Sequence, residues 1–171
     1  MANNSFTAAV EDVLQQGLTL LNGVDGETYA RPIEGASLGT HYRHVLDHFL
    51  CLREGIRTGE VNYDHRRRDP RLENSTEYAR LVTQQLIEEF QEFSPETFRG
   101  ECIVTYTVGY GEDEPGSVPS NLAREITFCV GHAIHHYAIL KLLAAGAGVK
   151  LPCEFGVAPS TLKHRESEAH A

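Results

Sequence analysis

Four stretches of this chain repeat apolar residues every three to four positions, the spacing that places them on one face of an α-helix. They predict helices over residues 4–22, 37–58, about 74–93 and 120–145. Helices of this length gain little stability alone in water, so their apolar faces have to pack against one another. The pattern therefore predicts an all-α fold, a four-helix bundle, in a single domain over residues 1–171.

The ends of these stretches carry residues that are typical of helix boundaries. Ser37 can cap the N-terminus of the second helix, and Gly59 can end that helix. Residues 99–119 leave the helical spacing, because a β-prone run over 102–108 precedes an acidic, turn-rich stretch over 109–116. We therefore expect a small β-hairpin or extended insertion before the last long helix.

Charge and composition restrict the partners of the chain. The formal net charge of −9 disfavours nucleic acid, because binding to phosphates depends on a basic surface. No uninterrupted apolar run reaches the ~20 residues of a membrane helix, and the polar N-terminus does not resemble a secretory signal. The four cysteines are scattered without a C-x-x-C pair, which argues against a disulfide framework. We therefore expect a cytoplasmic protein that binds neither nucleic acid nor membrane.

Six of the nine histidines fall in two clusters, on the second and fourth predicted helices. On the fourth, His132 and His136 are about 40° apart on the apolar arc and one turn from each other, whereas His135 points away from that arc. Two imidazoles at this spacing can converge on one metal ion, and two hydrogen-bonded core histidines are the alternative. Ala133 stands where the zincin motif requires a glutamate, which disfavours a metalloprotease.

The second predicted helix carries His41, His44 and His48, which span only about 60° beside its apolar stripe. Any one of them could supply a third ligand; helical geometry slightly favours His41 and His48 and does not single out His44. A polar rim of solvated or ion-paired histidines is the alternative. Because bundle cores build metal sites from facing helices, the two clusters together favour a bound metal ion.

The type of donor indicates the type of metal. Three neutral nitrogens suit Zn²⁺, Ni²⁺, Fe²⁺ or Cu²⁺ better than Mg²⁺ or Ca²⁺, and three protein ligands leave a position open, as in catalytic sites. Glu125 could orient a ligand or a water, or it could only favour the dipole of its helix. Asp47 could add a hydrogen bond beside the ligands. Arg66 and Arg68 could bind an anionic substrate or belong to a surface salt-bridge network.

Two stretches, residues 37–48 and 124–138, resemble the DinB-like superfamily of metal-binding bundles. The similarity covers most of the chain, about residues 8–165. The resemblance implies a four-helix bundle, often a homodimer, with a three-histidine site for zinc, nickel or iron and open water positions. Some relatives look like S-transferases that use the thiols bacillithiol or mycothiol, and many have no assigned activity.

The family pattern also selects among the histidines. In that family a serine opens the second helix and the metal histidine follows seven residues later, which from Ser37 leads to His44. The second motif places ligands at both ends of an H-x-x-x-H step, which fall on His132 and His136. The residues then expected around the three ligands are His41, His48 and Glu125.

Three functions are compatible with these features. The first is a metal-dependent enzyme, such as a thiol-dependent S-transferase that acts on a small-molecule substrate with a low-molecular-weight thiol. The second is a non-catalytic module that binds metal or a small ligand. The third is a structural ion that only stabilises the bundle.

Overall fold

The computed structural model describes residues 5–33, 35–107, 109–111 and 116–169, and it consists mainly of helices. The helices are α1 (Ser5–Gly23), α2 (Gly26–Ala30), α3 (Leu38–Thr58), α4 (Arg71–Asn74), α5 (Thr76–Glu92), α6 (Leu122–Gly146) and α7 (Pro159–Ala169). The strands are β1 (Glu60–Asn62), β2 (Glu101–Tyr106) and β3 (Gly116–Asn121). A single 3₁₀ turn, Thr97–Arg99, precedes β2 within the described residues.

The long helices α1, α3, α5 and α6 form the bundle. Helix α3 packs against α5 and α6, and α1 packs against the same two helices from the other side. Their apolar faces meet in one buried cluster, to which Leu14, Leu46, Phe49, Phe90 and Leu140 belong. Burying each such side chain contributes about 1.5–3 kcal/mol of hydrophobic free energy. The predicted four-helix bundle is therefore confirmed.

Helix α3 begins and ends at the predicted boundaries. The Ser37 hydroxyl accepts a hydrogen bond from the backbone N–H of Thr40 at 2.9 Å. Gly59 ends the helix with a φ of 80°, a left-handed conformation that favours glycine. These two caps set the length and position of the helix that carries the first histidine cluster.

The predicted insertion before α6 is a β-hairpin. Strands β2 and β3 pair antiparallel, with Val104 opposite Val118, and residues 108 and 112–115 of the connection lie outside the described residues. Strand β1 pairs parallel with β2 and completes a sheet of order β1-β2-β3. Three residues are too few to show a strand pattern, so the sequence did not predict β1. Its pairing holds the loop that follows it, which begins with Tyr63, close to α3.

The short helices α2, α4 and α7 were also absent from the prediction. Helices α2 and α4 span five and four residues, too few to show an apolar face, and α7 has no buried residue among those described. Because their hydrophobic period is missing, only their place in the fold reveals them.

Helix α6 is both long and apolar. By length and composition alone it could cross a membrane. In the fold it packs against α1 and α3, and its first turn holds the fully buried side chain of Glu125. A central bundle helix meets the same criterion, because it buries apolar residues against its neighbours.

Candidate metal centre

Three histidine side chains from α3 and α6 converge at the interface of these helices. His44, His132 and His136 each offer a nitrogen, and these atoms lie within 4.8 Å of one another. Nε2 of His44 is 3.0 Å from Nε2 of His132. Two nitrogens that share one ion at ~2.0–2.1 Å are separated by roughly 3–3.4 Å, so this pair has the spacing of common ligands. The structure thus brings together the three histidines that the sequence analysis selected.

The surroundings keep these imidazoles neutral. Burial, with a contribution from neighbouring histidines, lowers the pKa of His44 to about 3. The same causes lower the pKa of His132 and His136 to about 4. Each ring therefore has a free lone pair at neutral pH, the form that binds a metal. The rings are only partly buried, so small molecules can reach them. The residues present fit a divalent transition metal ion.

His41 lies beside the cluster and contacts one of its members. Nδ1 of His41 is 3.2 Å from Nδ1 of His136. If His136 binds an ion through Nε2, its Nδ1 carries the ring proton and donates a hydrogen bond to Nδ1 of His41. That hydrogen bond fixes the orientation of the His136 ring. The position of His41 suits the role that the sequence analysis predicts for it.

An aromatic wall, formed by His48, Tyr63 and Phe128, borders the three histidines. The His48 ring lies 4.1 Å from that of His132, centroid to centroid, and its Nδ1 donates to the His44 carbonyl at 2.8 Å. Tyr63 stacks on His48 at 5.3 Å, and Phe128 stacks on His132 at 5.7 Å. His48 therefore supports the cluster by packing.

Two members of the aromatic wall were missed in the sequence. Phe128 precedes His132 by four residues, so the helical period places both on one face of α6 and could have identified it. Tyr63 follows β1 in a loop, where no periodic signal points toward α6. Only the pairing of β1 with β2 shows where this tyrosine lies.

Glu125 is fully buried one turn into α6. Its carboxylate accepts hydrogen bonds from the hydroxyls of Tyr63 and Ser120 and from Nη1 of Arg124. None of the described hydrogen bonds joins it to a histidine. Its link to the site runs through Tyr63, which stacks on His48. Its position near the helix N-terminus also suits a favourable interaction with the helix dipole.

The loop after β1 brings a cation to the histidines. Arg66 donates from Nη1 to the Tyr63 carbonyl at 2.8 Å, and its charge helps to lower the pKa of His44 and His132. Neither Arg66 nor Arg68 takes part in an ion pair among the described residues, so a salt-bridge network is not observed. An arginine in this position can bind an anionic group of a substrate.

The fold and the histidine cluster together define a class: a helical bundle with three histidines presented by two of its helices. No family model matches this chain. A solved DinB-like protein from Bacillus subtilis, YjoA, has a similar structure, with a TM-score of 0.66. The alignment covers 88% of this chain and 98% of that chain at 15% sequence identity. The chain therefore has the DinB-like fold that the sequence resemblance implied.

A curated protein of Rhizopus delemar, FK506-binding protein 5, is 35% identical to this chain over 107 residues. The match covers 61% of this chain and 27% of that protein. The chain thus spans about a quarter of the length of this relative. The name FK506-binding protein 5 describes that longer protein.

Proposed function

We propose that this chain binds one divalent ion of zinc, nickel or iron at His44, His132 and His136 and uses it in the chemistry of a small molecule. The observation that carries the proposal is the convergence of three imidazole nitrogens, from two helices, within 4.8 Å. Their lowered pKa values keep them neutral at the pH where an ion would bind. Three protein ligands are typical of sites that keep a coordination position for a substrate.

The reaction we favour is transfer of a low-molecular-weight thiol to an electrophilic carbon. A sulfur–carbon bond forms while the bond from that carbon to its leaving group breaks, and the leaving group takes the electron pair. The thiol proton passes to solvent or to a neutral imidazole, for which His41 is placed beside the cluster. A divalent ion held by the histidines would lower the pKa of the thiol so that the thiolate exists at neutral pH.

Other side chains supply the binding surface for the substrates. Arg66 offers a guanidinium to a carboxylate or phosphate group, which low-molecular-weight thiols commonly carry. Phe128 is 38% exposed, so its ring can pack against an apolar part of the electrophile. Burial of that part against the aromatic wall would also keep water away from the reacting atoms.

Metal content is the direct test of the binding proposal. Mass spectrometry on protein purified without an affinity tag would compare the wild type with His132→Ala and His136→Ala. His135→Ala is the matched control, because this exposed neighbour on α6 lies outside the cluster. We expect about one equivalent of metal in the wild type and the control, and almost none in the two variants. No metal in any of the four proteins would refute the site.

Turnover tests the enzymatic part separately. The metal-loaded wild type and His132→Ala would be assayed with a panel of thiols and electrophiles. We expect product in the wild type, loss on chelation, recovery when the ion is returned, and none in the variant. A full equivalent of metal without turnover on the panel would favour the alternative, a non-catalytic metal-binding module.

We also propose that the protein works in a reducing compartment, the cytoplasm. All four cysteines are free thiols, and Cys153 is exposed. Exposed free thiols persist where the surroundings are reducing. Fractionation of the source cells, followed by detection of the protein, would test this location.

A further inference from the structure

A cavity lies beside α3, on a different face from the histidine cluster. It is enclosed by α3, the segment from β1 to α4, and α5, and its volume is about 550 Å³. This is within the range of ~300–1,000 Å³ that is usual for small-molecule sites. None of the three converging histidines lines it. Its apolar lining includes Leu50, Leu72, Tyr78, Val82 and Leu86.

Asp47 lines this cavity and is only 2% exposed. Its Oδ1 atom is buried without a hydrogen-bond partner among the described residues. It also makes no described hydrogen bond to a histidine, so the hydrogen bond beside the ligands that the sequence suggested is not observed among the described residues. Buried carboxylate oxygens that lack a partner are costly, and such groups commonly have a functional reason. The Asp47 carboxylate belongs to the cavity lining and can accept a hydrogen bond from a molecule in the cavity.

The remaining charges of the lining indicate the charge of that molecule. Arg71 pairs with Asp69 at 2.6 Å, and Arg53 pairs with Glu89 at 3.3 Å. Of the described lining residues, Arg67 is the arginine that forms no ion pair. The lining carboxylates that form none are Asp47, Glu54 and Glu60. Asp47 also lies near Arg43, Arg66 and Arg68, whose charges offset its burial only in part, since its pKa stays raised. Within the lining, the excess of unpaired negative charge favours a cation.

We propose that this cavity is a second binding site, for a small primary or secondary amine with an apolar body. The ammonium group donates to the Asp47 carboxylate, and the apolar body packs against Leu50, Val82 and Leu86. Pairing with an ammonium group compensates the buried carboxylate, and burial of the apolar body adds hydrophobic free energy. The site is separate from the histidine cluster, so amine binding does not require the metal.

Phenethylamine is a suitable probe, with 2-phenylethanol and 3-phenylpropionate as its neutral and anionic counterparts. Binding to the wild type would be measured by calorimetry and by amide chemical shifts in NMR spectra. We expect saturable binding of the amine, at least about tenfold tighter than that of the alcohol or the acid. The shifted amides should belong to α3 and α5 around Asp47 and Val82. Equal binding of the three probes, or no saturation up to about 20 mM amine, would overturn the proposal.

Variants assign the binding to the cavity. Asp47→Asn keeps the size of the side chain and should weaken amine binding at least about tenfold. Val82→Trp fills the cavity from α5 without changing the buried carboxylate, so it should also abolish binding even if Asp47→Asn fails to fold. Glu88→Gln, at an exposed position of α5 outside the lining, is the control and should change the affinity less than about threefold. Undiminished binding by Val82→Trp would overturn the proposal.

The metal site and the amine site can fail independently. His132→Ala should bind phenethylamine as the wild type does, because His132 does not line the cavity. If His132→Ala lost amine binding while its fold was intact, the amine would bind at the histidines and the proposed second site would be wrong. If the wild type bound amine but no metal, the second site would stand without the proposed function.

Discussion

One face of α3 brings His44 and His48 against histidine and aromatic rings of other segments, whereas another face turns Asp47 into a cavity. On the first face polar rings contact one another, and Nε2 of His44 lies 3.0 Å from Nε2 of His132. On the second face, Oδ1 of Asp47 has no hydrogen-bond partner among the described residues. Neutral nitrogens that converge suit a metal ion, and a single buried carboxylate suits an organic cation. Adjacent faces of one helix can thus carry sites for different kinds of ligand.

Burial acts on both faces but shifts the pKa in opposite directions. It lowers the pKa of His44 to about 3 and of His48 to about 4. It raises the pKa of Asp47, although nearby arginines oppose this change. In each case burial disfavours the charged form. The two faces should therefore respond oppositely to pH and differently to metal and to substitution.

The largest expected effect separates the two faces by their response to metal. At a free ion concentration 100-fold above Kd, binding stabilises the protein by about 2.7 kcal/mol, which raises Tm by about 5–11 °C at this chain length. Calorimetric scans with added Zn²⁺ should show this rise in the wild type and in Asp47→Asn, but not in His132→Ala. An equal rise in His132→Ala would place the metal elsewhere.

A second prediction concerns the support behind the histidines. Tyr63→Phe removes the hydroxyl that donates to the buried Glu125 carboxylate at 2.9 Å. We expect a loss of about 1.5–3 kcal/mol in unfolding free energy, measured by urea titration, because the lost bond is to a buried charged group. Tyr110→Phe is the control, since Tyr110 is fully exposed. Unchanged stability of Tyr63→Phe would show that Ser120 and Arg124 suffice for Glu125.

A third prediction tests whether His41 orients a ligand. His41→Ala should weaken metal binding by about 10–100-fold, because His136 would lose the hydrogen-bond partner of its Nδ1. Competition with a chromophoric chelator measures this affinity. His65→Ala, in the exposed loop after β1, should bind metal as the wild type does. Equal metal affinities of His41→Ala and His65→Ala would show that His41 only packs against the site.

The fourth prediction uses pH on the metal-free protein. The folded histidines of the cluster and His48 have pKa values of about 3 to 4, below the 6.5 of an unfolded histidine. The unfolded chain therefore takes up protons first, and the stability of the native state falls as pH drops from about 6.5 to 4. Partial exposure limits this loss to about 1–2 kcal/mol. In urea titrations, a His44→Gln, His48→Gln double variant should show a smaller loss over the same pH range.

The smallest effect is expected on the other face, with the opposite sign. Because the pKa of Asp47 is raised, ionisation of this carboxyl group destabilises the native state as pH rises through that pKa. The destabilisation disappears at low pH, where Asp47 is protonated. Asp47→Asn should therefore raise the unfolding free energy by about 1 kcal/mol at pH 7, and less near pH 4. Urea titrations at both values measure the difference. A destabilised Asp47→Asn at pH 7 would show that Asp47 has a structural partner.

Much of the bundle and part of the site were predictable from local patterns. Apolar periodicity located the long helices, and the capping residues Ser37 and Gly59 defined α3. The i, i+4 step placed His132 and His136 together and left His135 exposed, as observed. The same geometry did not select His44 over His41 and His48, because all three lie within about 60° on the helix. Only the resemblance to the DinB-like pattern made that choice.

The remaining parts depend on residues that are distant in the chain. Arg66 and Tyr63 reach the histidines because β1 pairs with β2, about forty positions later in the sequence. The cavity around Asp47 needs residues from α3, α4 and α5 at once. No periodic signal connects these segments, so neither the place of Tyr63 in the aromatic wall nor the second site could be predicted from the sequence.

The sequence by itself determined the elements and the faces that they present, because helical hydrogen bonds and side-chain direction are local properties of the backbone. It therefore predicted that the histidines lie on two helices and that a hairpin precedes the last long helix. The tertiary structure decided which faces meet, since helix packing and strand pairing join residues far apart in the chain. That packing brings three imidazoles within 4.8 Å and buries Asp47 beside an open cavity on another face of the same helix.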